Sequence, residues 1–163
     1  MSTANADSTL SSTPSGVERR AKLHNTIASL IKLRQSMMAR YAQLTGISSF
    51  AMRDIEPHQP KSDQLRSFCQ IMVDYTAMGH FEVYQRIIEG KERRRAVKEV
   101  AAEIYPAIEE TTDYLVEFND LFDKLEQGDE SAEKALLGDL TRLGEIIAIR
   151  TELEDQILTA LQR

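Results

Sequence analysis

The side chains of this chain that could do chemistry are charges that interrupt apolar stripes of helical spacing. Arg34 stands between Leu30 and Met37, and Arg150 between Ile147 and Leu153. Asp74 follows Val73 in the middle of a second stripe, and Glu154 and Asp155 flank the end of the last one. An isolated charge in a helical core is prohibitive, so such residues pair, snorkel to the stripe edge or face a cleft. Spacing alone leaves two readings open: a charged network in a groove between helices, and snorkelling at stripe edges.

Catalytic patterns are absent. There is no glycine-rich phosphate loop and no Gly-x-Ser-x-Gly elbow. The histidines are His24, His58 and His80, and none has a carboxylate three residues before it, so the Glu-x-x-His arrangement of diiron bundles is missing. No metal or cofactor is expected. Cys69 falls at core spacing in a stripe, where a cysteine is usually inert packing, and nothing links it to His80 as a nucleophile pair. As the single cysteine it cannot close an internal disulfide, which suits a reducing cytosol. These features suit a binding protein better than an enzyme.

The elements that must carry these residues are helices. Leu23, Ile27, Leu30, Met37, Tyr41 and Leu44 step by threes, fours and sevens and predict a helix from Val17 to Thr45, stopped by Gly46. Residues 46–60, with Pro57 and Pro60, read as irregular. Ser62 is placed to cap a helix from Asp63 to Met78, with Leu65, Phe68, Cys69, Met72 and Thr76 inward. Gly79 should interrupt it before a shorter helix through Phe81 to Glu89. A long segment from Lys91 to Glu126 keeps register through Val97, Ile104, Ile108, Leu115, Phe118 and Phe122, with a kink expected at Pro106. After a turn at 127–129, one last helix is expected from Ser131 to Leu161. The fold class that follows is all-α: an antiparallel bundle of four long helices plus a shorter one. Residues 1–16, rich in Ser and Thr, read as a disordered tail, and 17–163 as a single domain.

Seven glycines and four prolines in 163 residues suit long helices. The start lacks the basic and apolar regions of a secretory signal, and no apolar run approaches a membrane span, so a cytoplasmic protein is expected. The net charge of −6 disfavours direct nucleic-acid binding and favours a basic partner. The basic run Lys91–Arg95 is read as a solvated helix start.

The stretch Phe68-Cys69-Gln70-Ile71-Met72-Val73-Asp74-Tyr75, then Gly79-His80-Phe81 and Tyr84-Gln85-Arg86-Ile87, resembles the signature region of the Rsd/AlgQ family. Arg34, Met37, Met38, Tyr41, Leu44, Gly46 and Ile47 resemble the end of that family's first helix. Gly144-Glu145, Arg150, Leu153-Glu154-Asp155 and Ile157-Leu158 resemble its last helix, and Ile104, Pro106, Glu109 and Thr112 form a shorter match. The likeness covers about residues 20–160. The chain departs from the family in a longer N-terminal tail and in Ile31, where an aromatic Trp is expected.

The resemblance implies an anti-sigma factor. It implies binding of the primary sigma factor of RNA polymerase, chiefly the basic C-terminal domain that reads the −35 promoter element. Sigma would thereby be kept from core polymerase and promoter DNA, to the benefit of alternative sigma factors. It places Asp74 in the partner-binding motif. Arg34, Phe68, Tyr75 and Arg150 are further candidates, and Tyr41, Phe81 and Tyr84 are candidate aromatic anchors, with core packing as the competing reading for these three. His80 is either a contact residue or a structural histidine. A regulatory adaptor that binds a metabolic or signalling enzyme is the alternative function.

Overall fold

The computed structural model describes residues 16–46 and 61–163, and among them every regular element is helical. The elements are α1 (Gly16–Thr45), α2 (Lys61–Met78), a π-helical segment (Gly79–Tyr84), α3 (Gln85–Ile88), α4 (Arg95–Glu126), α5 (Glu130–Gly138) and α6 (Leu140–Leu161). The expected tail, apart from Gly16, and the expected irregular stretch beyond Gly46 lie outside the described residues.

Side-chain contacts fix the helix directions. Lys61 Nζ at the start of α2 donates to the Leu44 carbonyl near the end of α1, so α1 and α2 are antiparallel. Arg66 meets Glu126 at 2.8 Å, which runs α4 back along α2. Arg94 Nη1 donates to the Leu161 carbonyl at 2.9 Å, and Arg150 reaches Thr112, so α6 runs against α4. Arg34 on Asp155 and Tyr41 on the Leu140 carbonyl set α6 against α1. The result is the expected antiparallel bundle.

Its core is one cluster to which every helix contributes. Leu30, Leu65, Phe68, Tyr75, Leu136, Leu143, Glu154 and Ile157 are all fully buried. Phe68 is its cross-brace, with Phe118 edge-on at 6.1 Å and Tyr41 tilted at 6.3 Å. Each such buried aromatic or leucine contributes about 1.5–3 kcal/mol of transfer free energy.

Four local expectations need correction. α2 starts at Lys61, so Ser62 lies inside its first turn. Gly79 does not interrupt the helix; the chain passes through it by widening to a π turn, shown by Gln85 N–H donating to the His80 carbonyl. The long fourth helix begins at Arg95 rather than Lys91, because Glu92 accepts from both the backbone N–H and the guanidinium of Arg94 and holds that residue extended. From there it runs through Pro106 without a break. The last helix is two helices. The chain breaks at Asp139, whose carboxylate takes the Tyr114 hydroxyl while the neighbouring Leu140 carbonyl takes the Tyr41 hydroxyl. Gly128, at φ +98°, closes α4, and the Asp129 carboxylate caps α5 through Ser131 N–H.

Candidate functional site

The charged residues that interrupt the stripes meet in the middle of the bundle, around Glu154. Its carboxylate is completely buried on α6. Oε1 accepts the Tyr75 hydroxyl at 2.6 Å and Arg34 Nη1 at 3.3 Å, and Oε2 accepts the Tyr84 hydroxyl at 2.6 Å. Three donors, one of them cationic, offset the cost of taking a carboxylate out of water. Arg34 comes from α1 and also binds the half-exposed Asp155 at 2.7 Å. Burial would lower its pKa, but the bond to Asp155 and the charges of Asp155 and Glu154 outweigh that and raise it.

One helical turn before Glu154, the Arg150 guanidinium is also buried. Its Nη1 donates to Thr112 Oγ1 at 2.7 Å and to Thr111 Oγ1 at 3.1 Å, both on α4. Nε and Nη2 have no hydrogen-bond partner. The guanidinium carbon lies 5.6 Å and 5.9 Å from the ring centres of Tyr75 and Tyr84, so the two aromatic rings take the place of polar acceptors. Both phenols are pushed far above the ordinary tyrosine range, first by burial and then by the negative charge of Glu154, with Arg150 acting against it. They stay protonated and act as donors.

The π turn is what brings Tyr84 to this carboxylate. A Cβ on Gly79 would stand 3.2 Å from Tyr84 Cε2 and 3.7 Å from both Arg150 Nη2 and Glu154 Oε2. The wide turn therefore passes directly over the buried charges, at the one residue without a side chain.

The surface over this network carries different residues. Asp74 is exposed on α2 and makes no hydrogen bond or ion pair with the described residues. Beside it are Val73, 43% exposed, and, further along the same face, Phe81, 60% exposed. His80 is half-buried with its ring edge-on to Phe81, centres 4.8 Å apart.

The candidate residues thus divide into two groups. Asp74, His80 and Phe81 reach the surface. Phe68, Tyr75, Tyr84 and Arg150 are buried within the bundle, and Tyr41 is half-buried with its hydroxyl 2.8 Å from the Leu140 carbonyl. Arg34 and Arg150 converge on Glu154 and its tyrosines, whereas Asp74 stays outside that network. Cys69 and His80, eleven residues apart along a continuous helical stretch, stand about 16 Å apart along the axis, and Cys69 is packed in the core.

Sequence reasoning named Tyr75 and Tyr84 as candidates but did not bring these parts together. The convergence of Tyr75 and Tyr84 was hidden because residues nine apart sit on opposite sides of an ordinary helix. Thr111 carries no signal of its own, and Thr112 is marked only by its place in the short family match with Ile104, Pro106 and Glu109. Gly79 read as an interruption. Among the described residues no group of His, Cys, Asp and Glu side chains could hold a metal ion.

The model of a protein family described as "Regulator of RNA polymerase sigma(70) subunit, Rsd/AlgQ" matches residues 9–162. The chain is 32% identical over 127 residues to a "Regulator of sigma D" of Yersinia pseudotuberculosis serotype O:1b, covering 77% of this chain and 72% of the relative. A protein of the same name from Yersinia enterocolitica is 30% identical over 127 residues, with 77% and 73% covered. One from Enterobacter sp. (strain 638) is 28% identical over 130 residues, with 78% and 74% covered. No solved structure matches the chain.

Proposed function

Because the chain belongs to the Rsd/AlgQ family of regulators of the RNA polymerase sigma(70) subunit, we propose that it works by binding the primary sigma factor, chiefly its basic C-terminal domain. Held there, sigma loses access to promoter DNA and to core polymerase, and alternative sigma factors gain. No reaction is catalysed; residues 17–163 act as one binding domain without a cofactor, in the cytoplasm. No helix among the described residues is long and apolar enough to cross a membrane.

One observation carries the placement of the site. Asp74 is a carboxylate without a hydrogen-bond or ion-pair partner among the described residues, on a face that also exposes Val73 and Phe81. A free charge beside an exposed aromatic is the arrangement of an interface centre: the aromatic buries area, and the charge selects a basic partner and register. Phe81 is the anchor, and His80 braces its ring. Arg34, Phe68, Tyr75, Tyr84, Arg150 and Tyr41 serve the same surface from below, by fixing α1, α2 and α6 relative to one another.

Asp74→Ala tests this. The side chain is exposed, so circular dichroism and unfolding should be unchanged, within about 0.5 kcal/mol. Binding to the sigma C-terminal domain should fall by about 2 kcal/mol or more, roughly thirtyfold, as for the loss of one partner of an interfacial charge pair. Equal binding by variant and parent removes Asp74 from the site, and unfolding of the variant makes it structural.

A further inference from the structure

We infer that Glu154 is a positioning residue for the docking face: it locks the π turn, and the locked turn sets where Phe81 stands relative to Asp74. The inference rests on the function proposed above.

The geometry starts from helical arithmetic. In an α-helix each residue turns about 100°, so Tyr75 and Tyr84 would point about 180° apart. A single π turn accommodates one extra residue, so the nine steps span what eight would, and the two side chains come to within about 80° of each other. Both hydroxyls then reach one carboxylate, each at 2.6 Å. Tyr75 grips it from before the wide turn and Tyr84 from its last residue. If the turn relaxed to ordinary α geometry, the register from Gly79 onward would change, and Tyr84 would leave Glu154. The carboxylate thus stabilises the wide register.

Phe81 lies inside the same turn, between the two grips in sequence, and is 60% exposed to solvent. A change of register rotates it around the helix axis while Asp74, on the regular part of α2, stays in place. The separation of the charge from the aromatic anchor therefore depends on a bond formed at the buried side of the helix. Gly79 is the second requirement, since a Cβ there would press on the Tyr84 ring at 3.2 Å.

Two conservative variants separate positioning from general stability. Tyr75→Phe and Tyr84→Phe each remove one hydroxyl from the same carboxylate at equally buried positions. Only Tyr84 ties down the turn. The first measurement is hydrogen exchange at the Gln85 amide, which donates to the His80 carbonyl across the turn. Exchange there should be about tenfold faster in Tyr84→Phe than in Tyr75→Phe. The second is affinity for the purified sigma C-terminal domain, which should fall at least fivefold in Tyr84→Phe and less than twofold in Tyr75→Phe. Equal effects of the two variants in either measurement overturn the inference. If the parent protein does not bind the domain at all, the proposed function fails, and with it the positioning role. Unequal exchange would then still establish the lock on the turn as a property of the fold.

Discussion

At the scale of single residues, the buried charges matter more through what they hold than through what they touch outside. Glu154 with Arg34, Tyr75 and Tyr84, and Arg150 with Thr111 and Thr112, form a polar centre in an otherwise apolar bundle. Removing one partner leaves an uncompensated charge: Arg34→Met strips the buried Glu154 carboxylate of its cationic donor, at a cost of about 3–5 kcal/mol read by urea unfolding. The protonated acids of the core give a second prediction. Burial pushes the Cys69 thiol up to about 12, and burial and Glu154 push the phenols of Tyr75 and Tyr84 above their usual range. A raised native pKa gives stability that is complete below the unfolded-state value and is lost as pH climbs beyond it. The midpoint of urea unfolding should therefore be flat up to about pH 8.5 and fall from pH 9 to 12, first through Cys69 and then through the tyrosines. Tyr75→Phe should flatten the part of the fall above pH 10, and a slope unchanged by that substitution would contradict the assignment.

At the scale of elements, α6 leaves no room for a side chain at Gly144, where Tyr41 of α1 lies against it. A Cβ on Gly144 would fall 2.1 Å from the Tyr41 hydroxyl oxygen and 2.7 Å from its ring. Alanine normally improves a helix by about 1 kcal/mol over glycine, but here it must displace a rigid ring and its bond to the Leu140 carbonyl. Gly144→Ala should destabilise by about 1–3 kcal/mol, and the penalty should vanish in a Tyr41→Ala background, as a double-mutant unfolding cycle would read. Additive penalties would show that the contact is not the cause. The long elements were legible in the sequence because their burial is periodic: Ile27, Leu30, Met37 and Leu44 keep one face of α1, and Leu143, Ile147, Ile157 and Leu161 one face of α6. What escaped were the places where a tertiary bond overrides local pattern. Tyr41 and Tyr114 break the last helix at Asp139, Glu92 holds Arg94 extended and delays α4, and Glu154 favours a π turn at Gly79 over a break. Of the site, Arg34, Arg150 and Glu154 were visible as charges out of phase with their stripes. Which tyrosines they meet depends on a register that periodicity assumes to be uniform.

At the scale of the whole molecule, the charges are sorted. α1 carries Arg19, Arg20, Lys22, Lys32, Arg34 and Arg40 against one acid, while α4 carries Glu103, Glu109, Glu110, Asp113, Glu117 and Asp120 in a single run with no base between them. The antiparallel order α1–α2–α4–α6 puts these two helices at diagonal corners of the bundle. A basic partner of the kind proposed would therefore be drawn in a preferred orientation rather than by net charge alone, which would speed encounter and make it sensitive to salt. The central claim is that this bundle binds the basic C-terminal domain of the primary sigma factor. The most direct measurement is a titration of that isolated domain with the full chain at low ionic strength, repeated as salt is raised. Saturable binding that weakens with salt but persists at about 0.15 M, where surface charges are screened beyond about 8 Å, is the expected result. A titration with no saturable binding at the lowest salt would contradict it.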